Sequence, residues 1–71
     1  MIGSPVYHVT FVGEMANGQA LEATMTGPSV PPLDRGDIFV LNTTSFKVTK
    51  KAVEIKQNIN TMFMFYYGTQ L

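Results

Sequence analysis

The stretch that decides the fold is Tyr7-His8-Val9-Thr10-Phe11-Val12-Gly13-Glu14-Met15-Ala16-Asn17-Gly18-Gln19-Ala20-Leu21-Glu22-Ala23-Thr24-Met25. Tyr7, Val9, Phe11, Gly13 and Met15 fall on one side of an extended chain, and Leu21, Ala23 and Met25 do the same after the Asn-Gly pair. A period of two marks a strand with one buried face, and Asn-Gly between two such runs marks a hairpin. Two registers compete. A two-residue loop sets Phe11 opposite Thr24 and Gly13 opposite Glu22, which divides the apolar residues between opposite faces. A three-residue Ala16-Asn17-Gly18 loop, with Gly18 left-handed in a G1 bulge, sets Phe11 opposite Ala23, Val9 opposite Met25 and Gly13 opposite Leu21. One residue of slip flips a whole strand, so the apolar match selects the bulged turn. The first strand is expected over residues 5–15.

The rest of the chain reads the same way. Val, Thr, Ile, Phe and Tyr recur in short runs punctuated by Gly, Pro and Asn. Gly27-Pro28-Ser29-Val30-Pro31-Pro32-Leu33 is not a central strand, because its prolines remove ladder donors. It reads as a polyproline-like connector on the surface. Asp34-Arg35-Gly36-Asp37 makes a turn. Ile38-Phe39-Val40-Leu41 is apolar on both faces and is expected to be buried on both. A turn at Asn42 to Ser45 follows. A hairpin over residues 46–56 with a Lys50-Lys51 loop would pair Val48 with Val53, Phe46 with Ile55, and Lys47 with Glu54. Gln57-Asn58-Ile59-Asn60 is the last turn, before a final strand over residues 61–67.

These elements predict an all-β fold: a small five-stranded antiparallel barrel or strongly twisted sheet, of SH3-like or OB type, with two hairpins and a buried C-terminal strand. Residues 33–55, with a loop, Gly-Asp, a strand, a turn and a Phe-x-Val hairpin, loosely resemble an SH3-like barrel. That resemblance implies a fold class and carries no function.

Length and charge set the next expectation. The 71 residues are read as a single small β domain over 1–71. Only 14% of them are charged, against roughly 25% in an ordinary soluble domain. A domain near 60 residues buries only about 60% of the surface its unfolded chain exposes. Such chains lean on disulfides, a metal or a partner, and there is no cysteine. Oligomerisation is the expected remedy. The final strand says where. Thr61-Met62-Phe63-Met64-Phe65-Tyr66-Tyr67 has no charged residue and would aggregate if left open. Met62, Phe63, Met64, Phe65 and Tyr66 are therefore candidate interface residues, covered by a second copy or a protein partner.

Enzymatic chemistry has little footing. His8 is the sole histidine, with no nucleophile beside it in the sequence and no ligand set for a metal. No cofactor motif is found. Asp34 and Asp37 read as turn residues whose carboxylates accept local N–H groups. Arg35-Gly36-Asp37, Asn42-Thr43-Thr44 and Pro28-x-x-Pro31 match short recognition patterns for an integrin, a glycan and an SH3 domain, and each reads better as loop chemistry. No apolar run approaches the ~20 residues of a membrane span, and no signal peptide is visible, so a cytoplasmic setting is expected (the host cytoplasm for a phage-encoded chain).

The charge is unevenly placed. Lys47, Lys50, Lys51 and Lys56 against Glu54 give one segment a charge of +3, and Arg35 against Glu14, Glu22, Asp34 and Asp37 leaves −3 elsewhere. A neutral total argues against double-stranded DNA, which needs a broad basic surface. The first functional expectation is a non-enzymatic, self-associating module for a protein partner, in an adaptor, assembly or inhibitor role of the kind phage or plasmid accessory proteins perform. The second is an oligomer holding a nucleotide or another small anion between subunits, through Arg35, Lys47, Lys50, Lys51, Tyr66 and Tyr67. The third is a binder of single-stranded nucleic acid through the same residues.

Overall fold

The computed structural model describes residues 6–56 and 61–71. The described chain is all-β: β1 (Val6–Glu14), β2 (Ala20–Gly27), β3 (Ile38–Leu41), β4 (Thr44–Ile55) and β5 (Thr61–Gln70). They form one strongly curled sheet in the order β2-β1-β5-β4-β3, a half-barrel with β5 at its centre. The expected turn at Gln57-Asn58-Ile59-Asn60 and the expected start of the first strand at Pro5 lie outside the described residues.

The sheet is not antiparallel throughout. β5 is antiparallel to β4 but parallel to β1, with Val9 beside Met64 and Phe11 beside Tyr66. The chain closes its last strand onto its first, and the direction set by β4 leaves β5 running with β1. The parallel register brings the apolar set of β1 onto the same face as Met62, Met64 and Tyr66.

The first hairpin has the bulged register. Phe11 lies opposite Ala23, Val9 opposite Met25 and Gly13 opposite Leu21. The Gly18 N–H donates to the Met15 carbonyl at 3.0 Å, and the Met15 N–H donates to the Gln19 carbonyl at 2.7 Å. Gly18 sits at φ +90°, a conformation glycine enters without steric cost.

The second hairpin is elsewhere than expected. Its turn is Asn42-Thr43, with φ of 48° and 69°, and it joins β3 to β4. Lys50-Lys51 is no loop, because β4 runs unbroken through it. Phe46 and Val48 share a face with Val53 and Ile55 although their parity differs. A β-bulge produces that shift: Val48 pairs with Gly68, Lys50 pairs with Tyr67, and Thr49 is the extra residue. The Thr49 hydroxyl donates to the Tyr67 carbonyl at 3.3 Å. Two lysines cannot readily adopt the positive φ of a tight hairpin, whereas a bulge needs no such conformation from them.

β3 is an edge strand, which corrects the expectation of burial on both faces. Phe39 is buried against Phe46, but Ile38 is 54% and Val40 60% exposed. Only one face of this strand meets the core.

The core lies on the concave side, around Val9, Phe39, Phe46, Val48 and Tyr66. Phe11 joins the rings of Phe39 and Tyr66 at centroid distances of 5.4 and 5.5 Å. The proline-rich connector is more than a surface link. It crosses the concave side, packs Val30 and Leu33 against the core, and accepts the Tyr66 hydroxyl on the Pro31 carbonyl at 2.6 Å.

Candidate functional site

The half-barrel does not close. β2 and β3 are its two edges, each hydrogen-bonded to one neighbouring strand only among the described residues. Between them lies an apolar cleft of about 320 Å³, floored by Phe11 and walled by Ala23 and Met25 on one side and Phe39, Val40 and Leu41 on the other. Met25 is 52% exposed at its rim. The cleft follows from curvature: the sheet curls enough to bring its edges near one another without supplying a strand to fill the gap.

The bulge decides the fate of the lysine pair. It turns Lys50 to the convex face, where its Nζ lies 4.7 Å from the centroid of Tyr67. Lys51 falls in register with Tyr66 on the concave face and ties down the connector. Its Nζ donates to Asp34 Oδ1 at 2.8 Å and reaches the Leu33 carbonyl at 3.4 Å. That hydrogen bond and the lysine's charge hold the Asp34 carboxyl below its ordinary range, and the carboxylate raises Lys51 in return. The Asp34–Asp37 turn is as the residue types suggest, with the Asp34 N–H donating to Asp37 Oδ2 at 2.7 Å.

The residues proposed from sequence as one anion site are thus divided. Lys50 and Tyr67 are together on the convex face. Lys51 and Tyr66 are on the concave face, the former in an ion pair and the latter buried. Lys47 is exposed in register with Ile38 and Thr69, and Arg35 is exposed in the connector turn. The interface candidates divide likewise: Met62, Met64 and Tyr66 share the face of Val9 and Phe11, while Phe63 and Phe65 are in register with His8 and Thr10 on the other.

Two features are missing from the sequence reading. His8 stacks on Phe63, with ring centroids 5.0 Å apart at 17°. Lys56 reaches over the same Phe63 ring at 5.6 Å. The signal for the first lay in the non-local pairing of β1 with β5, which local alternation does not carry. Among the described residues no group of three or more His, Cys, Asp or Glu side chains is placed to hold a metal ion, and no helix is long and apolar enough to cross a membrane. No protein-family model, curated protein or solved structure matches the chain.

Proposed function

We propose that this chain is a non-enzymatic binding module that works as a homo-oligomer, with a second copy seated along the open gap between β2 and β3. The observation that carries this reading is the apolar cleft flanked by two sheet edges that pair with no further strand among the described residues. An open edge is a template for another strand, and an apolar floor rewards covering it. Met25, Ile38 and Val40, all more than half exposed, stand on those edge strands.

Size and shape support it. A compact monomer of 7.8 kDa exposes about 4,400 Å² by the usual scaling. This chain exposes 5018 Å². Its radius of gyration is 13.3 Å, against about 11 Å for a compact chain of this length. The contacts of His8 fit a binding role: its ring stacks on Phe63 and its Nδ1 lies 3.4 Å from the Thr26 hydroxyl, so both the face and the edge of the imidazole are engaged in packing the sheet surface.

Light scattering across a dilution series tests the reading. The wild type should be a dimer or larger, and Val40→Glu, which puts a charge at the cleft wall without touching the core, should be a folded monomer. A wild type that stays monomeric at every concentration overturns self-association and leaves the cleft to an extended segment of another protein.

A further inference from the structure

The convex face of the sheet carries a row of three aromatic side chains. Phe63, Phe65 and Tyr67 alternate along β5 on the side away from the core, and each is half-buried. Phe65 and Tyr67 are 6.4 Å apart with ring planes within 19°, and His8 extends the row sideways by stacking on Phe63. A lysine stands at each end: Lys50 over Tyr67 at 4.7 Å and Lys56 over Phe63 at 5.6 Å. Thr10 and Thr24, hydrogen-bonded to one another at 3.0 Å, lie beside the row. Glu54 is in register with Phe63, and Glu22 and Glu14 lie on the same face further along the sheet, Glu22 in register with Val12, which pairs with Tyr67, and Glu14 with Thr69.

The combination selects its ligand. The face of a partly exposed aromatic ring favours another flat π system, and a cation within reach of it favours a negative charge. A strand of unpaired nucleotides offers both, repeated along its length, which is the logic of stacking platforms in single-strand binding. Duplex DNA keeps its bases inside and needs a broader basic surface than this neutral chain has. An acidic peptide would engage the lysines and leave the ring faces unused. Both lysine ammonium groups already reach over ring faces, so each is long enough to hold a phosphate beside a base stacked there. The cation–π contact each would give up is weak at an exposed site.

We propose that the convex face of β5 binds single-stranded nucleic acid, with bases stacked on Phe63, Phe65 and Tyr67 and phosphates held by Lys50 and Lys56. This surface lies on the opposite side of the sheet from the core, and the proposal does not depend on self-association at the cleft.

Fluorescence anisotropy with short labelled oligothymidylate and oligouridylate tests it on the full chain. Saturable binding is expected at low salt, with log K falling by about 0.7 per phosphate contact for each unit of log salt. Tyr67→Leu should weaken binding roughly five- to 150-fold, the range for loss of one stacked base. Lys50→Gln with Lys56→Gln removes two exposed charges outside the core and carries the test should Tyr67→Leu fail to fold. That double variant should bind markedly more weakly and lose most of the salt dependence, whereas Arg35→Gln, in the connector turn, should bind as the wild type does. No binding of either oligomer at the lowest salt overturns the proposal. So does equal affinity for a duplex of the same length, or binding untouched by the double lysine variant. A change of association state in that variant, without nucleic-acid binding, reassigns the face to protein contact.

Discussion

Gly13 and Gly68 are register partners on the parallel strands β1 and β5, and the space left by their missing side chains is filled by phenylalanine rings. A Cβ at Gly13 would stand 2.6 Å from the ring of Phe46. One at Gly68 would stand 2.8 Å from Phe39 Cζ and 3.0 Å from Phe46 Cβ. The two rings meet at a centroid distance of 5.5 Å, tilted by 56°, over this slot. The glycine pair is what lets β3 and β4 fold their aromatic side chains down onto the sheet.

Gly13→Ala and Gly68→Ala should therefore each destabilise by about 1–3 kcal/mol, the usual cost of overpacking. Phe46 is fully buried and has nowhere to move. Urea unfolding measures the loss. Phe46→Leu should cost less in the Gly13→Ala background than in the wild type, because the two changes act on one space. Strict additivity would mean that the slot is not shared.

Thr43 holds φ 69° in the β3–β4 turn. A β-branched residue is strained there, whereas glycine after asparagine is the preferred pair for such a turn. Thr43→Gly should raise stability by about 1 kcal/mol, or about 4–8 °C in Tm for a domain of this size. Differential scanning calorimetry reads the shift directly, and a lower Tm would show that the side chain is needed in the turn.

Tyr66→Phe should cost about 0.5–1.5 kcal/mol, because it removes the hydroxyl that donates to the Pro31 carbonyl at 2.6 Å and leaves that acceptor without it. Tyr67→Phe on the opposite face should be near neutral for stability. Chemical denaturation of the two variants side by side distinguishes the buried Tyr66 from the half-buried Tyr67, and equal effects would contradict the placement.

The link between Asp34 and Lys51 makes docking of the connector sensitive to pH. Asp34 lies below its ordinary value of 3.8 because Lys51 hydrogen-bonds to it and is positively charged. A depressed carboxyl contributes stability above its unfolded value and loses it as pH falls through the folded value. Lys51, raised above 10.5 by the same contact, contributes below that value and loses the contribution as pH rises through its folded one. Wild type and Asp34→Asn should therefore differ most between those limits, and the gap should close in acid below 3.8. The pair is exposed, so added salt should narrow the gap as well. A gap independent of both pH and salt would mean that the ion pair does not hold the connector. Thermal unfolding across pH provides the measurement.

Much of the local structure is legible in the residues. Alternation and Asn17-Gly18 specify β1, β2 and their register, because a slip of one residue would expose an entire apolar face. The parity change between Val48 and Val53 is also visible, but it admits two readings, a hairpin turn or a bulge. Only the neighbouring strand chooses between them: β5 pairs with both halves of β4, and an unbroken strand satisfies more of its backbone than a turn of two lysines would.

The candidate sites were less legible, for the same reason. Tyr66 and Tyr67 are adjacent and chemically alike, and Lys50 and Lys51 are identical. Which of each pair is buried or tied down depends on the face that β5 presents and on one bulged residue. The Phe63–His8 stack likewise needs the parallel pairing of the first and last strands.

The sequence by itself determined that the chain is all-β, how its first hairpin is registered, and that its last strand is too apolar to stand at an open edge. The tertiary structure alone decided that this strand is the centre of a mixed sheet, that β2 and β3 leave a cleft between them, and that the lysines and tyrosines part to opposite faces. Local patterns carry hydrophobic period and turn chemistry, which act between near neighbours. Strand order, direction and bulges are chosen by contacts between residues far apart in the chain, where the burial of Val9, Phe46 and Tyr66 in one core outweighs any local preference.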